Sequence, residues 1–152
     1  MVAPLLAVLC VACGGGAGAN AEVDRAEIEQ LLREYLPRMG AAYATGDFTP
    51  LQGLAAQKEI SVLRKHIGDL WEQEGRLVEA ELIDLQIEQV RSVSYSIALV
   101  TTLETWNLRV KPIGSEQVLS EVENQRNRVR YQLEREDAGW KVLSRNREAT
   151  FE

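Results

Sequence analysis

The hydrophobic residues of this chain recur at two different spacings, and the spacing changes near Arg76. Before that residue they recur every three or four positions, as they do along one face of an α-helix. The first such stripe is Ile28, Leu31, Leu32, Tyr35, Met39, Ala42 and Tyr43, and the second is Ile60, Leu63, Ile67, Leu70 and Trp71. We therefore predict an amphipathic helix that ends at Gly46-Asp47, a second, short helix capped by Thr49, and a third helix over 57–74.

After Arg76 the apolar positions alternate with polar ones, which is typical of β-strands with one buried face. The predicted strands span 78–88, 95–110, 118–135 and 140–145. A change of phase between Leu82 and Ile83 predicts a bulge, a bend or two separate short elements in the first of them. Helices followed by a meander of long antiparallel strands predict an α+β domain, with the helices packed on one face of a curved sheet.

Alternation along each strand also assigns residues to the concave face of that sheet, the face that the helices cover. Our assignment is Ile83, Leu85, Ile87, Ile97, Leu99, Thr101, Leu103, Val129, Tyr131, Leu133, Trp140 and Val142. A face with this composition contains no carboxylate and no histidine. The inside of the predicted cone is therefore expected to be apolar.

Residues 1–21 differ in character from the rest, because they carry no charged side chain and contain both cysteines. Their apolar stretch, Pro4–Ala12, has the size of a signal peptide and is too short to span a membrane. The sequence predicts a signal peptide and glycine-rich tether over residues 1–21 and a single domain over residues 22–152, a length that can bury one core.

Two processing sites remain open within this leader. Val11-Ala12-Cys13 resembles the end of a bacterial lipobox, in which the cysteine receives a lipid and becomes the new N-terminus. Ala19-Asn20-Ala21 has the small residues that precede an ordinary signal cleavage, which would release a soluble periplasmic or secreted domain. We favour lipid attachment at Cys13, since it accounts for the cysteine and the following glycines together. This predicts a lipoprotein of the bacterial cell envelope whose domain faces the periplasm or the cell exterior.

The net charge of −6 narrows the classes of partner. A nucleic-acid-binding protein needs an excess of Lys and Arg to displace counterions from phosphates, and this chain has none. The same deficit argues against a polybasic contact with acidic lipids. We expect no nucleic-acid partner, and membrane contact only through the N-terminal lipid.

Three segments carry a resemblance to a known superfamily. They are the helix end Tyr43-Ala44-Thr45-Gly46-Asp47, the strand Glu81-Leu82-Ile83-Asp84-Leu85-Gln86-Ile87, and the hairpin formed by Tyr131–Arg135 and Gly139–Val142. Together they resemble the nuclear transport factor 2-like superfamily, and residues 79–143 are most similar to the IMS domain of plastid and cyanobacterial division scaffold proteins. The resemblance implies a cone-shaped fold, and within the IMS group a protein-interaction module.

The same superfamily includes small enzymes such as ketosteroid isomerase and dehydratases, whose acid–base groups project into the cone. General acid–base catalysis needs a titratable group within hydrogen-bonding reach of the substrate, and the concave face assigned above offers none. Asp84 is the alternative acid or base, provided that it points into the cone instead of pairing with the polar outer face. His66, the only histidine, is expected at the surface, and without a cluster of other ligands it makes no metal site. We expect neither an enzyme nor a bound cofactor.

Two groups of residues, each containing aromatic side chains, are candidate binding positions. Trp106, Leu108 and Val110 share the parity assigned to the outer face, so they could form an exposed apolar patch for a partner. The alternatives are that a bulge turns Trp106 inward or that the segment Val118–Val122 covers it. Tyr35, Tyr43, Trp71 and Tyr131 could line a pocket at the mouth of the cone, or could belong to the core.

The leading functional hypothesis from these observations is a non-catalytic, envelope-anchored interaction domain. It would bind a protein, or another copy of itself, through the sheet face or the mouth of the cone. The alternative is a small-molecule-binding protein, or an isomerase- or dehydratase-like enzyme, that uses the cone as its pocket. Ionisable groups inside the cone distinguish the two, because the first hypothesis expects an apolar interior.

Overall fold

The computed structural model describes residues 17–151, with side chains described from Arg25 onward. Two helices come first, α1 (Ala17–Thr45) and α2 (Gln57–Glu74), and a 3-10 turn (Thr49–Leu51) lies between them. Helix α1 begins inside the segment that the sequence assigns to the leader and tether. Cys13 and the lipobox-like residues lie outside the described residues. Within residues 17–151 neither helix is long and apolar enough to cross a membrane.

Four antiparallel strands follow the helices and form one open, curved sheet. They are β1 (Arg76–Ser92), β2 (Ile97–Pro112), β3 (Ser120–Glu136) and β4 (Gly139–Phe151), and their order in the sheet is β1-β2-β3-β4. The predicted α+β architecture, helices followed by a meander, is confirmed. Because each strand pairs with the next one along the chain, the whole sheet is built from hairpins.

Helix α1 lies along β1 and buries the predicted apolar stripe. Ile28, Leu32 and Tyr35 are completely buried, and the helix continues through Pro37. At Gly40 the backbones of the two elements approach so closely that an added Cβ would lie 2.8 Å from the carbonyl oxygen of Ala80. This close approach sets how deeply α1 sits in the sheet.

Substitution of Gly40 by alanine should push α1 away from β1. We expect a loss of about 1–3 kcal/mol in the free energy of unfolding, as for other insertions of volume into a packed core. The matched control is Gly68→Ala in α2, where an added Cβ meets nothing within 4 Å. That control should gain about 0.5–1 kcal/mol, because glycine is unfavourable inside a helix. Urea denaturation of both variants measures the difference, and equal stabilities would contradict the close approach.

Strand β1 contains the predicted bulge. Its pairing with β2 shifts register between Leu82 and Asp84, which leaves Ile83 unpaired. Ile83 is 46% exposed, whereas Leu85 beyond the bulge is buried. The assignment of Ile83 to the concave face is therefore wrong, since the bulge turns that residue outward.

Strand β2 faces the opposite way from the prediction. Its even-numbered residues pair with core residues of β3, Val100 with Tyr131 and Thr102 with Val129, and paired residues lie on the same face of a sheet. The concave residues of β2 are Ala98, Val100, Thr102, Glu104 and Trp106, and the convex ones are Ile97, Leu99, Thr101 and Leu103. The prediction is wrong by one residue of register, which exchanges the two faces completely. The residues predicted inside from β3 and β4 are buried in the core as expected.

Candidate functional site: the cone cavity

A cavity of about 260 Å³ lies between the two helices and the concave face of the sheet. Its lining residues are Met39, Tyr43, His66, Leu70, Val78, Ala80, Glu104, Trp106, Leu108, Gln125, Asn127, Val129, Arg145 and Arg147. All six helices and strands contribute to it, so the fold as a whole creates the site. Among these lining residues only His66 and Arg147 are exposed, and they mark the mouth.

Glu104 is a carboxylate buried in the wall of this cavity, with 2% of its surface exposed. Its Oε1 accepts hydrogen bonds from the hydroxyls of Tyr131 and Thr102, and its Oε2 accepts one from Trp106 Nε1 at 2.9 Å. A buried carboxylate is tolerated only with such partners, because an unpaired charge in the interior costs several kcal/mol. The expectation that the concave face contains no carboxylate is therefore wrong.

A second buried carboxylate, Glu59 of α2, lies deeper between the helices and β4. It is 2% exposed, and its Oε1 accepts hydrogen bonds from the Tyr35 hydroxyl at 2.8 Å and from Arg145 Nε at 3.2 Å. Arg145 also donates from Nη2 to the hydroxyl of Tyr43 at 3.0 Å. Because Tyr43 and Arg145 both line the cavity, this network connects the core to the cavity wall.

The two buried tyrosines are held in their protonated form. Burial raises the pKa of Tyr35 well above its ordinary value, and the neighbouring carboxylate of Glu59 raises it further. Burial and the charge of Glu104 do the same to the pKa of Tyr131. Both phenols are therefore hydrogen-bond donors to a carboxylate at neutral pH.

Arg145 stays charged despite its position. Burial alone would lower the pKa of its guanidinium, but the surrounding Tyr43, Tyr35, Tyr131 and Glu59 outweigh that effect and raise the pKa. Its positive charge compensates Glu59. The charges of Glu59 and Arg145 are thus paired with each other within the protein.

The mouth of the cavity carries a histidine and a second arginine. The ring of His66 meets the ring of Tyr43 edge-on, with 5.8 Å between their centroids. Arg147 comes two residues after Arg145 on β4 and opposite Val129 of β3, so both arginines face the cavity. Within the described part of the chain, Arg147 makes neither an ion pair nor a side-chain hydrogen bond.

Solved structures similar to this chain include the intermembrane space region of the chloroplast protein ARC6, with a TM-score of 0.67 and 15% identity over 84% of this chain and 95% of that one. A Mycobacterium tuberculosis protein of unknown function gives a TM-score of 0.53 and 13% identity over 88% and 75% of the respective chains. A candidate dehydratase from the NTF2-like family of Streptomyces avermitilis gives 0.50 and 18% over 82% and 95%. No protein-family model matches the chain, and no sequence match was found among curated proteins.

The fold is nuclear transport factor 2-like. At these low identities the likeness establishes the fold alone, and one fold of this kind carries many unrelated functions. The chemistry of the site must therefore be derived from the side chains of this chain.

The nuclear transport factor 2-like cone brings together only part of the candidate aromatic pocket. Tyr43 lines the cavity, while Tyr35 and Tyr131 are fully buried beneath it and hold Glu59 and Glu104. Trp71 does not line the cavity. Its ring packs against Gly46, where an added Cβ would lie 2.6 Å from the ring.

The predicted outer patch around Trp106 and the alternative acid or base Asp84 also differ from their predicted positions. Trp106 is 4% exposed and turned into the cone, so Trp106, Leu108 and Val110 do not form an exposed outer patch. Leu108 lines the cavity beside Trp106. Asp84 is exposed outside the cone, where its carboxylate accepts a hydrogen bond from Gln86, so it is not an acid or base of this cavity.

Sequence reasoning missed the polar residues of the site, Glu104, Asn127, Arg145 and Arg147. One signal could have found Glu104, because it shares the parity of Trp106, a large aromatic residue that packs best in a core. Residues 17–151 contain no group of three His, Cys, Asp or Glu side chains placed to hold a metal ion.

Proposed function

We propose that this domain binds a small, largely apolar molecule in the cone cavity and holds it without converting it chemically. The observation that carries the proposal is the cavity itself, whose wall combines apolar side chains from both helices and from β1, β2 and β3 with polar side chains from both helices and from β2, β3 and β4. This combination is typical of small-molecule sites. It favours the alternative function over the interaction module that the sequence suggested first.

The apolar part of the wall determines the body of the ligand. Met39 and Leu70 approach from the helices, and Val78, Ala80 and Leu108 from β1 and β2. A volume of 260 Å³ lies just below the range of about 300–1,000 Å³ that ligand pockets usually occupy. The ligand is therefore expected to be small, such as a single substituted ring or a short chain.

The hydrogen bonds of Glu104 favour binding over catalysis. A carboxylate has about four acceptor positions, and Tyr131, Thr102 and Trp106 use three of them. Arg145 is similarly engaged by Glu59. Glu104 and Arg145 are thus both engaged by partners within the protein.

Filling the cavity tests this proposal directly. We expect Val78→Phe to abolish binding of neutral aromatic probes such as toluene and indole, because the larger ring occupies their space. Ile83→Phe is the matched control, since Ile83 lies on the same strand and faces solvent. Ligand-induced thermal stabilisation and calorimetry measure binding to the parent and both variants. Absence of binding to the parent, or equal binding to both variants, would contradict a site in the cone.

A second candidate function is self-association, favoured by exposed apolar residues at the end of the β2–β3 hairpin. These residues are Ile113, Val118, Leu119 and Val122. Exposed apolar patches on soluble proteins often mark interaction surfaces. Sedimentation of the parent and of Leu119→Glu tests this candidate, and a monomer in both would remove it.

The location of the domain is a separate proposal, that Cys13 carries a lipid and anchors the domain to a bacterial envelope. It rests on the small residues Val11 and Ala12 before Cys13 and on the glycines after it. We expect labelled fatty acid to be incorporated into the parent and into Cys10→Ser, but not into Cys13→Ser. A mature, unlipidated N-terminus at Glu22, seen by mass spectrometry, would instead support cleavage after Ala21.

A further inference from the structure

The charged side chains of the cavity differ in whether they are already paired inside the protein. Glu104 is paired with three donors, and Arg145 with Glu59 and Tyr43. Arg147, at the mouth, has no such partner within the described residues. A ligand entering the cavity thus meets one charge that is available to it, and that charge is positive.

We infer that the ligand of this cavity carries a single carboxylate, which Arg147 binds at the mouth while the apolar body of the ligand enters the cone. The inference rests on the proposed function and adds the chemical class of the ligand. A guanidinium presents parallel N–H donors that match the two oxygens of a carboxylate. The required ligand is a small aromatic or short-chain carboxylic acid.

Two amide side chains of β3 also belong to the cavity wall. Asn127 and Gln125 line the cavity on the strand next to β4. The Oδ1 atom of Asn127 accepts a hydrogen bond from Thr150 at 2.9 Å, so its amide nitrogen is the group left to donate. An additional donor in the same cavity wall favours an anionic or acceptor group over a cationic one.

The buried carboxylate does not cancel this preference. Glu104 lies on β2 and Arg147 on β4, and two strand spacings separate them by about 10 Å across the sheet. The three hydrogen bonds to Glu104 further reduce its effect at the mouth. The cavity therefore has an entrance that carries Arg147, which is unpaired in the described part of the chain, and behind it a wall in which Glu104 and Arg145 are already paired within the protein.

Because Arg147 is the one exposed arginine among the residues that line the cavity, it also limits the charge of the ligand. A phosphate group usually requires several cations or a loop of backbone N–H groups, and no glycine-rich phosphate loop is present in the sequence. A carboxylate needs only one guanidinium. The geometry thus fits a singly charged acid better than a phosphorylated metabolite.

The test uses three probes with the same apolar body: phenylpropionate, phenylpropionamide and phenylpropylamine. Calorimetry on the parent protein should show the tightest binding for phenylpropionate and the weakest for the amine. In Arg147→Gln, phenylpropionate should bind about tenfold more weakly, because one charge-assisted contact is lost at a partly solvated site. The amide should bind Arg147→Gln as it binds the parent.

Arg126→Gln is the matched control, since Arg126 lies on β3 opposite Thr105 of the convex face. It should leave the affinity for all three probes unchanged. Equal binding of phenylpropionate and the amide, or tightest binding of the amine, would overturn the inference and leave the cavity proposal standing. Failure of all three probes to bind would contradict the proposed function and this inference with it.

Discussion

Replacing Glu104 with alanine is expected to lower the free energy of unfolding by about 3–5 kcal/mol. The carboxylate is 2% exposed and accepts hydrogen bonds from Tyr131, Thr102 and Trp106. Its removal leaves these donors buried, and each unsatisfied buried group costs about 1–3 kcal/mol. Because a typical domain is stable by only about 5–15 kcal/mol, this loss is a large share of the total. Urea denaturation measures it.

Two controls separate the loss of the network from a general effect of removing a glutamate. Glu88→Ala removes a carboxylate that pairs with Arg128 at 2.8 Å on the exposed face, and it should cost no more than about 1 kcal/mol. Glu104→Gln keeps the shape but replaces one acceptor oxygen with a donor, so its cost should fall between the two alanine variants. A Glu104→Ala variant as stable as Glu88→Ala would show that the network is not formed in solution.

The second large effect is expected at the ion pair between the buried Glu59 and the partly buried Arg145. Arg145→Met leaves the Glu59 carboxylate buried without its cation, which should cost about 3–5 kcal/mol. Glu59→Leu combined with Arg145→Met should recover most of that loss, since a buried pair can often be replaced by apolar residues without a net cost. Denaturation of the single and double variants gives the coupling between the two residues.

The control for the ion pair is Arg130→Met, which breaks an exposed contact of 2.7 Å to Glu148. It should change stability by less than about 1 kcal/mol, because exposed ion pairs are screened by solvent. If Arg145→Met were no more destabilising than this control, Arg145 and Glu59 would not form a buried pair.

Much of the fold follows from local patterns in the sequence. The helix over 57–74, its glycine cap at Gly75 and the bulge after Leu82 all follow from spacing and from residue types with known local preferences. The hairpin ending at Gly139 follows in the same way, since that glycine has a positive φ of 116°. Each of these features depends on residues close together in the chain.

The face of β2 could not be predicted in this way. Leucine and isoleucine occupy the odd positions Ile97, Leu99 and Leu103, so the larger apolar residues suggest the wrong face. The smaller residues Ala98 and Val100 face the helices, and both are completely buried there. Because side chains alternate between the two faces of a strand, an error of one residue assigned every side chain of β2 to the wrong face.

The site depends on that same strand, so its polar residues were missed together. A glutamate is expected outside unless its partners are known, and the partners of Glu104 include Tyr131, which lies 27 residues away in the chain. Arg145 and Glu59 are 86 residues apart. Buried polar networks of this kind are formed by tertiary contacts, so local patterns in the sequence do not predict them.

We propose that the cone binds a small carboxylic acid, with the carboxylate at Arg147 and the apolar body inside the cavity. Amide chemical shifts recorded during titration of the protein with phenylpropionate test this claim most directly. We predict shifts that saturate at Tyr43, His66, Asn127 and Arg147 and that are absent at the β2–β3 hairpin end around Leu119. Saturating shifts at the hairpin end with none at the four cavity residues would contradict it.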